Sequence, residues 1–100
     1  FPAYSASITF DASGGDYFQI TATNGTAFTI NNPTGSAAGQ FLTVQIVNFS
    51  GGALGALTWG AAFKLAAWTQ PANGFNRSIT FINQNSKWYE ISRTPADVPN

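Results

Sequence analysis

Residues 16–30 read DYFQITATNGTAFTI, and how this stretch turns back on itself decides the class of the molecule. Phe18, Ile20 and Ala22 alternate with Gln19, Thr21 and Thr23, and Phe28 and Ile30 resume the alternation after the break. A period of two in residues rich in threonine, isoleucine and phenylalanine is the pattern of strands with one wet face. Asn24-Gly25, with a threonine on each side, is the strongest hairpin signal in the chain, because a type I′ turn needs positive φ at both central residues. The stretch therefore predicts two strands joined by a tight turn.

Working outward, ASITF puts Ile8 and Phe10 on one face with Ser7 and Thr9 on the other. The breaks DASGGD and NNPTGSAAG carry turn chemistry. GQFLTVQIVNF differs, since Leu42, Val44 and Ile46 load one face while Phe41, Val47 and Phe49 load the other. That pattern predicts a strand covered on both sides, at the centre of a sandwich or between chains. RSITFIN and SKWYEISR predict a second hairpin about the NQNS turn. In GALTWGAAFKLAAW, residues 55–68, ALTW reads as a short strand ended by Gly60, and AAFKLAAW as an extended segment, too short and uncapped for a stable helix. The whole predicts an all-β fold in one domain spanning residues 1–100, a small antiparallel β-sandwich or jelly-roll-like barrel of about seven to eight strands.

Composition excludes several function classes. Only 8% of the 100 residues are charged, four basic against four acidic, for a net charge of zero; ordinary domains carry about 25%. Clustered lysine and arginine are missing, so the chain lacks the counter-ion term that drives nucleic-acid binding. The absence of histidine and cysteine removes the commonest general base, the usual catalytic triad and most transition-metal sites. No cofactor is expected. No apolar run approaches the ~20 residues of a membrane span, and no signal-peptide pattern is visible. With so little charge repulsion, a lone copy is poorly protected from self-association, which predicts a homo-oligomer.

Asp11, Asp16 and Glu90 are the carboxylates that glycoside hydrolysis could use, but turn-forming aspartates and a Glu90 paired with a nearby lysine or arginine explain them better. SGGALG lacks the lysine and hydroxyl of a phosphate loop, so its glycines read as a turn. The aromatics are the serious candidates. Trp59, Trp68, Trp88 and Tyr89, with Lys64 as a lone charge beside them, are ligand or interface candidates, because each ring offers about 150–250 Å² of contact. Trp88 and Tyr89 are strand neighbours, so one of them points away from the core. The expected enzyme count is none: no catalytic residue is assigned.

The segments AGQFLTVQIVNFSGGALGALTWGAAFKLAAW and NRSITFINQNSKWYEISRTPADVPN resemble the C-terminal modules of tailed-phage and prophage virion structural proteins, of tail-fibre or head and tail appendage type. The residues carrying the resemblance are Gly39 and Gln40, the strand from Leu42 to Ile46, Gly51 and Gly52, Thr58 and Trp59, Lys64 and Trp68, then Trp88 and Tyr89. It implies the C-terminal module of a longer virion protein, non-enzymatic, a homotrimer joined to other virion proteins, located on the particle and acting outside the host by touching a cell-surface glycan. The alternative is a carbohydrate-binding module of a secreted or surface protein, with its rings stacking on sugars.

Overall fold

The alternating runs form strands where the pattern puts them. A computed structural model describes residues 2–100, with β1 at Ser7–Ile8, β2 at Tyr17–Ala22, β3 at Phe28–Ile30, β4 at Phe41–Asn48, β5 at Leu57–Trp59, β6 at Phe63–Lys64, β7 at Phe75–Gln84, β8 at Lys87–Arg93 and β9 at Val98–Pro99. A single 3₁₀ turn at Ala12–Gly14 is capped by Asp11, whose Oδ1 accepts from the Ser13 amide at 3.0 Å.

Pairing departs from expectation. The strands on either side of Asn24-Gly25 lie in different sheets: β2 pairs parallel with β4, and β3 pairs parallel with both β1 and β5. Neither Asn24 nor Gly25 takes the left-handed backbone that a type I′ turn requires. Instead Asn24 Oδ1 accepts from the Thr26 amide at 2.9 Å and from the Tyr4 hydroxyl at 3.0 Å, which makes the dipeptide an outward corner. The second predicted hairpin does form. Gln84 faces Lys87, and Asn85 and Ser86 hold φ of 55° and 62° between them.

Successive strands β1–β2, β3–β4 and β5–β6 make three coils of a short β-solenoid. The first member of each joins a three-stranded parallel sheet, β1-β3-β5, and the second joins a larger sheet ordered β2-β4-β7-β8-β6, with β9 on β7. The β7–β8 hairpin sits between the second and third coils, antiparallel to β4 and closing parallel on β6. The chain is thus all-β and two-layered, as a sandwich would be, but the antiparallel jelly-roll expectation is corrected to a solenoid coil in which parallel pairs are combined with the antiparallel pairs that β7 makes. The physical reason is that a strand with one dry face shows the same period of two whichever way its neighbour runs.

Between the layers lie Ile8, Phe10, Ile20, Ile30, Val44, Ile46, Ile79 and Phe81, all buried, with Phe10 stacked on Phe18 at 4.6 Å between centroids. Corners of adjacent coils touch through glycine. A Cβ on Gly55 would press on the backbone of residues 25–27, and one on Gly60 would meet the amide nitrogen of Asn32 at 2.7 Å. Asparagines then tie coil to coil: Asn31 Nδ2 donates to Ser7 Oγ at 2.8 Å and to Thr9 Oγ1 at 3.0 Å, and Asn32 Oδ1 accepts from the Ala62 amide at 2.9 Å. The fully buried Asn48 is satisfied at both ends, donating to the carbonyls of Gly52 and Pro71 at 3.0 Å and accepting from the Ser50 amide at 2.9 Å. A buried amide with every partner in place fixes two loops at once.

The expectation for β4 is corrected in one respect. Its Leu42, Val44 and Ile46 face is wholly buried and Val47 on the other face is buried too, but within this chain Phe41, and Phe49 just past the end of the strand, remain exposed. β4 is an interior strand of its sheet, so no further strand can cover them; only something lying on the face could.

Candidate functional site

The outer face of the large sheet is where sequence, register and exposure meet. Cross-strand pairing puts Phe41 opposite Ile82, Ile82 opposite Tyr89 and Tyr89 opposite Lys64, one row crossing β4, β7, β8 and β6. Phe41 is 53% exposed and Tyr89 39%; Ile91, at the irregularity where β8 shifts register against β7, is 52% exposed. Lys64 ends the row in solvent. Beside it run neutral side chains bonded to each other. Thr43 and Thr80 hydroxyls meet at 2.9 Å, Gln19 Nε2 donates to Gln45 Oε1 at 3.0 Å, and Gln45 Nε2 donates to Asn76 Oδ1 at 2.9 Å. The Tyr17 hydroxyl also donates to Gln45 Oε1.

The tryptophans occupy a different place from the one their number suggested. Trp88 is 1% exposed, facing inward next to Phe63, so it is a core residue and is corrected as a contact candidate. Burying a ring of about 200 Å² contributes on the order of 5 kcal/mol of transfer free energy. Tyr89, its neighbour, faces out, as alternation requires. Trp59 and Trp68 are half-buried against the core. Trp59 meets the edges of Phe63, Phe81 and Trp68 at centroid distances of 5.1, 5.6 and 5.7 Å. Its indole Nε1 is buried without a hydrogen-bond partner, as is Asn83 Nδ2. The Ala61–Trp68 stretch is not helical; only the two residues of β6 are strand.

Glu90 and Arg93 brace that stretch. Arg93 Nε donates to Glu90 Oε2 at 2.5 Å and its Nη2 to Glu90 Oε1 at 2.7 Å, while Nη1 and Nη2 also donate to the carbonyls of Ala67 and Ala66 at 2.8 and 3.0 Å. The Glu90 Oε1 accepts from the Ala66 amide at 3.0 Å, and the guanidinium lies 5.7 Å from the Trp68 ring centroid. Arg93's hydrogen bond holds the Glu90 carboxyl below its ordinary pKa, against the opposing cost of burial. Asp97 is lowered in the same way by Arg77, at 2.6 Å.

The carboxylates are not brought together. Asp16 precedes β2 and Glu90 lies in β8, with β4 and β7 between them. Three strand spacings place them roughly 14 Å apart, beyond the roughly 5–9.5 Å at which paired acids act on a glycosidic bond. Asp11 is held by Ser13 in its turn. Among the described residues, no three His, Cys, Asp or Glu side chains gather to hold a metal ion, and no helix is long and apolar enough to cross a membrane.

No family model, curated protein or solved structure matches the chain.

Of the sequence candidates, Tyr89 and Lys64 share the outer face, Trp59 and Trp68 form a half-buried cluster behind the Glu90–Arg93 brace, and Trp88 is interior. Ile82 and Ile91 are the members of the exposed face that the sequence argument passed over. Ile82 had a signal: a two-residue turn at Asn85-Ser86 fixes Gln84 opposite Lys87, and counting back places Ile82 opposite Tyr89. The register shift that exposes Ile91 leaves no comparable trace in composition.

Proposed function

We propose that this chain is a non-enzymatic structural module of a tailed-phage or prophage virion appendage, a fibre, spike or head decoration, working as a homo-oligomer that assembles with other virion proteins and meets the host surface. The resemblance implies three copies and a place on the particle, outside the host cell. The observation that carries the proposal is where the resembling residues fall. Gly39 takes φ of 81° and Gly51 of 84°, Gln40 Nε2 bonds the Ala12 carbonyl at 2.6 Å, and Trp59 stands before the glycine that lets coils touch. These residues turn and pin the coil; none is arranged around a reacting group. A pattern that encodes a scaffold fits a part whose work is shape and assembly.

The test is mass in solution. Light scattering on a size-exclusion column at micromolar concentration should give a multiple of the 10.6 kDa chain. A stable monomer would remove the oligomer from the proposal.

The second reading, a carbohydrate-binding module, has the exposed Tyr89 beside the amide-rich face in its favour. It predicts binding to a polysaccharide on a glycan array, lost on Tyr89→Ala. No response across a broad array would end it.

A further inference from the structure

We infer that Asn24-Gly25 is a self-modification site, at which the Gly25 amide nitrogen closes on the Asn24 side chain and deamidates it to a carboxylate, while the chemically identical Asn73-Gly74 pair is held inert. The site stands whether or not the chain is an oligomer, and it lies at the one dipeptide whose strong turn chemistry forms no hairpin.

Asparagine before glycine cyclises readily because no Cβ on the second residue obstructs the approach of its nitrogen. The chain has two such pairs, and all four residues are exposed, so access to water does not separate them. Hydrogen bonding does. The Gly74 amide, the nucleophile of the second pair, donates to the carbonyl of the buried Asn48 at 3.1 Å, and Asn73 Oδ1 is tied to the Gly51 amide at 3.1 Å. The Gly25 amide donates to no acceptor among the described residues, so its proton is open to base. Asn24 Oδ1, where negative charge develops during the attack, accepts from the Thr26 amide at 2.9 Å and the Tyr4 hydroxyl at 3.0 Å. That hydroxyl has a single proton and also faces the Thr26 carbonyl at 3.0 Å and the Asn24 carbonyl at 3.4 Å. As Oδ1 becomes anionic the proton turns to it, so this bond is stronger in the transition state than before it.

The steps balance with water as the only co-reactant. Base removes the Gly25 N–H proton, the nitrogen bonds to Asn24 Cγ, and Nδ2, protonated by solvent, leaves as ammonia to give a cyclic imide. Water then adds to one of the two imide carbonyls and the C–N bond there breaks. Opening at Cγ gives aspartate, whose carboxylate accepts from the same Thr26 and Tyr4 donors and takes the formal net charge from zero to minus one. Opening at the main-chain carbonyl gives isoaspartate and adds a methylene to a corner without slack, since a Cβ on Gly55 would already lie 2.6 Å from the Gly25 oxygen and 2.5 Å from the Thr26 carbonyl carbon. The first product keeps the fold; the second loosens the contact between adjacent coils.

The test holds the folded chain in warm, mildly alkaline buffer and follows both pairs by peptide mass spectrometry, with an isoaspartate-specific methyltransferase marking the second product. Asn24 should exchange its amide for a hydroxyl about tenfold faster than Asn73, and the two rates should converge when the chain is unfolded in urea. Tyr4→Phe, with the wild-type circular dichroism, should slow Asn24 about 2- to 10-fold, the worth of one hydrogen bond, and leave Asn73 unchanged. No conversion at Asn24, equal rates at the two pairs in the folded chain, or a difference that persists in urea overturns selection of the site by the fold. A folded Tyr4→Phe chain that reacts at the wild-type rate or faster overturns the part given to the hydroxyl.

Discussion

Ser86 holds φ of 62° without being glycine, at the second central position of the β7–β8 turn. The left-handed backbone costs a side-chain-bearing residue about 1 kcal/mol or more, part of which glycine recovers despite its greater freedom when unfolded. Ser86→Gly should therefore raise stability by about 0.5–1 kcal/mol, read as a higher urea midpoint with an unchanged slope. Gly60 presents the opposite case. A Cβ there meets the Asn32 amide nitrogen at 2.7 Å and the Asn31 carbonyl carbon at 3.0 Å, backbone atoms that cannot swing aside. Gly60→Ala should lose about 1–3 kcal/mol, whereas Gly14→Ala, with nothing within 4 Å of the added carbon, should lose little. Trp59→Ala should cost about 3 kcal/mol through lost ring contacts, and Lys64→Ala less than about 0.5 kcal/mol. Equal losses at those two positions would contradict the packing described for the indole.

At the scale of elements, the Glu90–Arg93 brace is the sole side-chain ion pair on the Leu65–Trp68 segment among the described residues. Glu90→Gln should speed amide exchange at Ala66, whose N–H loses its carboxylate acceptor, and leave exchange in β4 unchanged; uniform acceleration would mean that the whole fold, and not the segment, had loosened. The two hairpin signals show what the sequence could and could not express. Asn85-Ser86 lies between two long alternating runs, ten residues in β7 and seven in β8, that pair directly from the turn outward, and it closes. Asn24-Gly25 has the better turn chemistry but follows β2, which finds its match for all six residues in β4 further along the chain. Local preference at two residues gave way to a longer ladder. Strand positions were thus legible from alternation, while partner and direction, which depend on segments far apart, were not.

For the molecule as a whole, the shifted ionisable groups define a stability window. Glu90 and Asp97 both have lowered values in the fold. Their contribution is complete above the ordinary carboxylate range of about 4 and is lost as pH falls through the lowered values. Tyr4 is raised by burial, so its contribution holds below about pH 10 and is lost as pH climbs through the raised value. The melting temperature should be flat between these limits and decline outside them, and Glu90→Gln should shrink the acid-side decline. Because both acids keep water contact, the slope should be shallow. The candidate face was half legible at this scale. Phe41 and Tyr89 announced themselves as apolar residues on the wrong side of an alternating run, but the row joining them required four strands to be set in order.

The two layers also differ in width. Three strands span about 10 Å and the five of the larger layer about 19 Å at the usual spacing, because the hairpin spreads the second and third coils on one side only. The stack is tapered like a keystone, and its two ends are not parallel. Copies laid end on end would veer into an arc instead of extending a straight fibril, so a protein with almost no charged gatekeepers gains from its outline some of the resistance to runaway polymerisation that other β proteins draw from lysine.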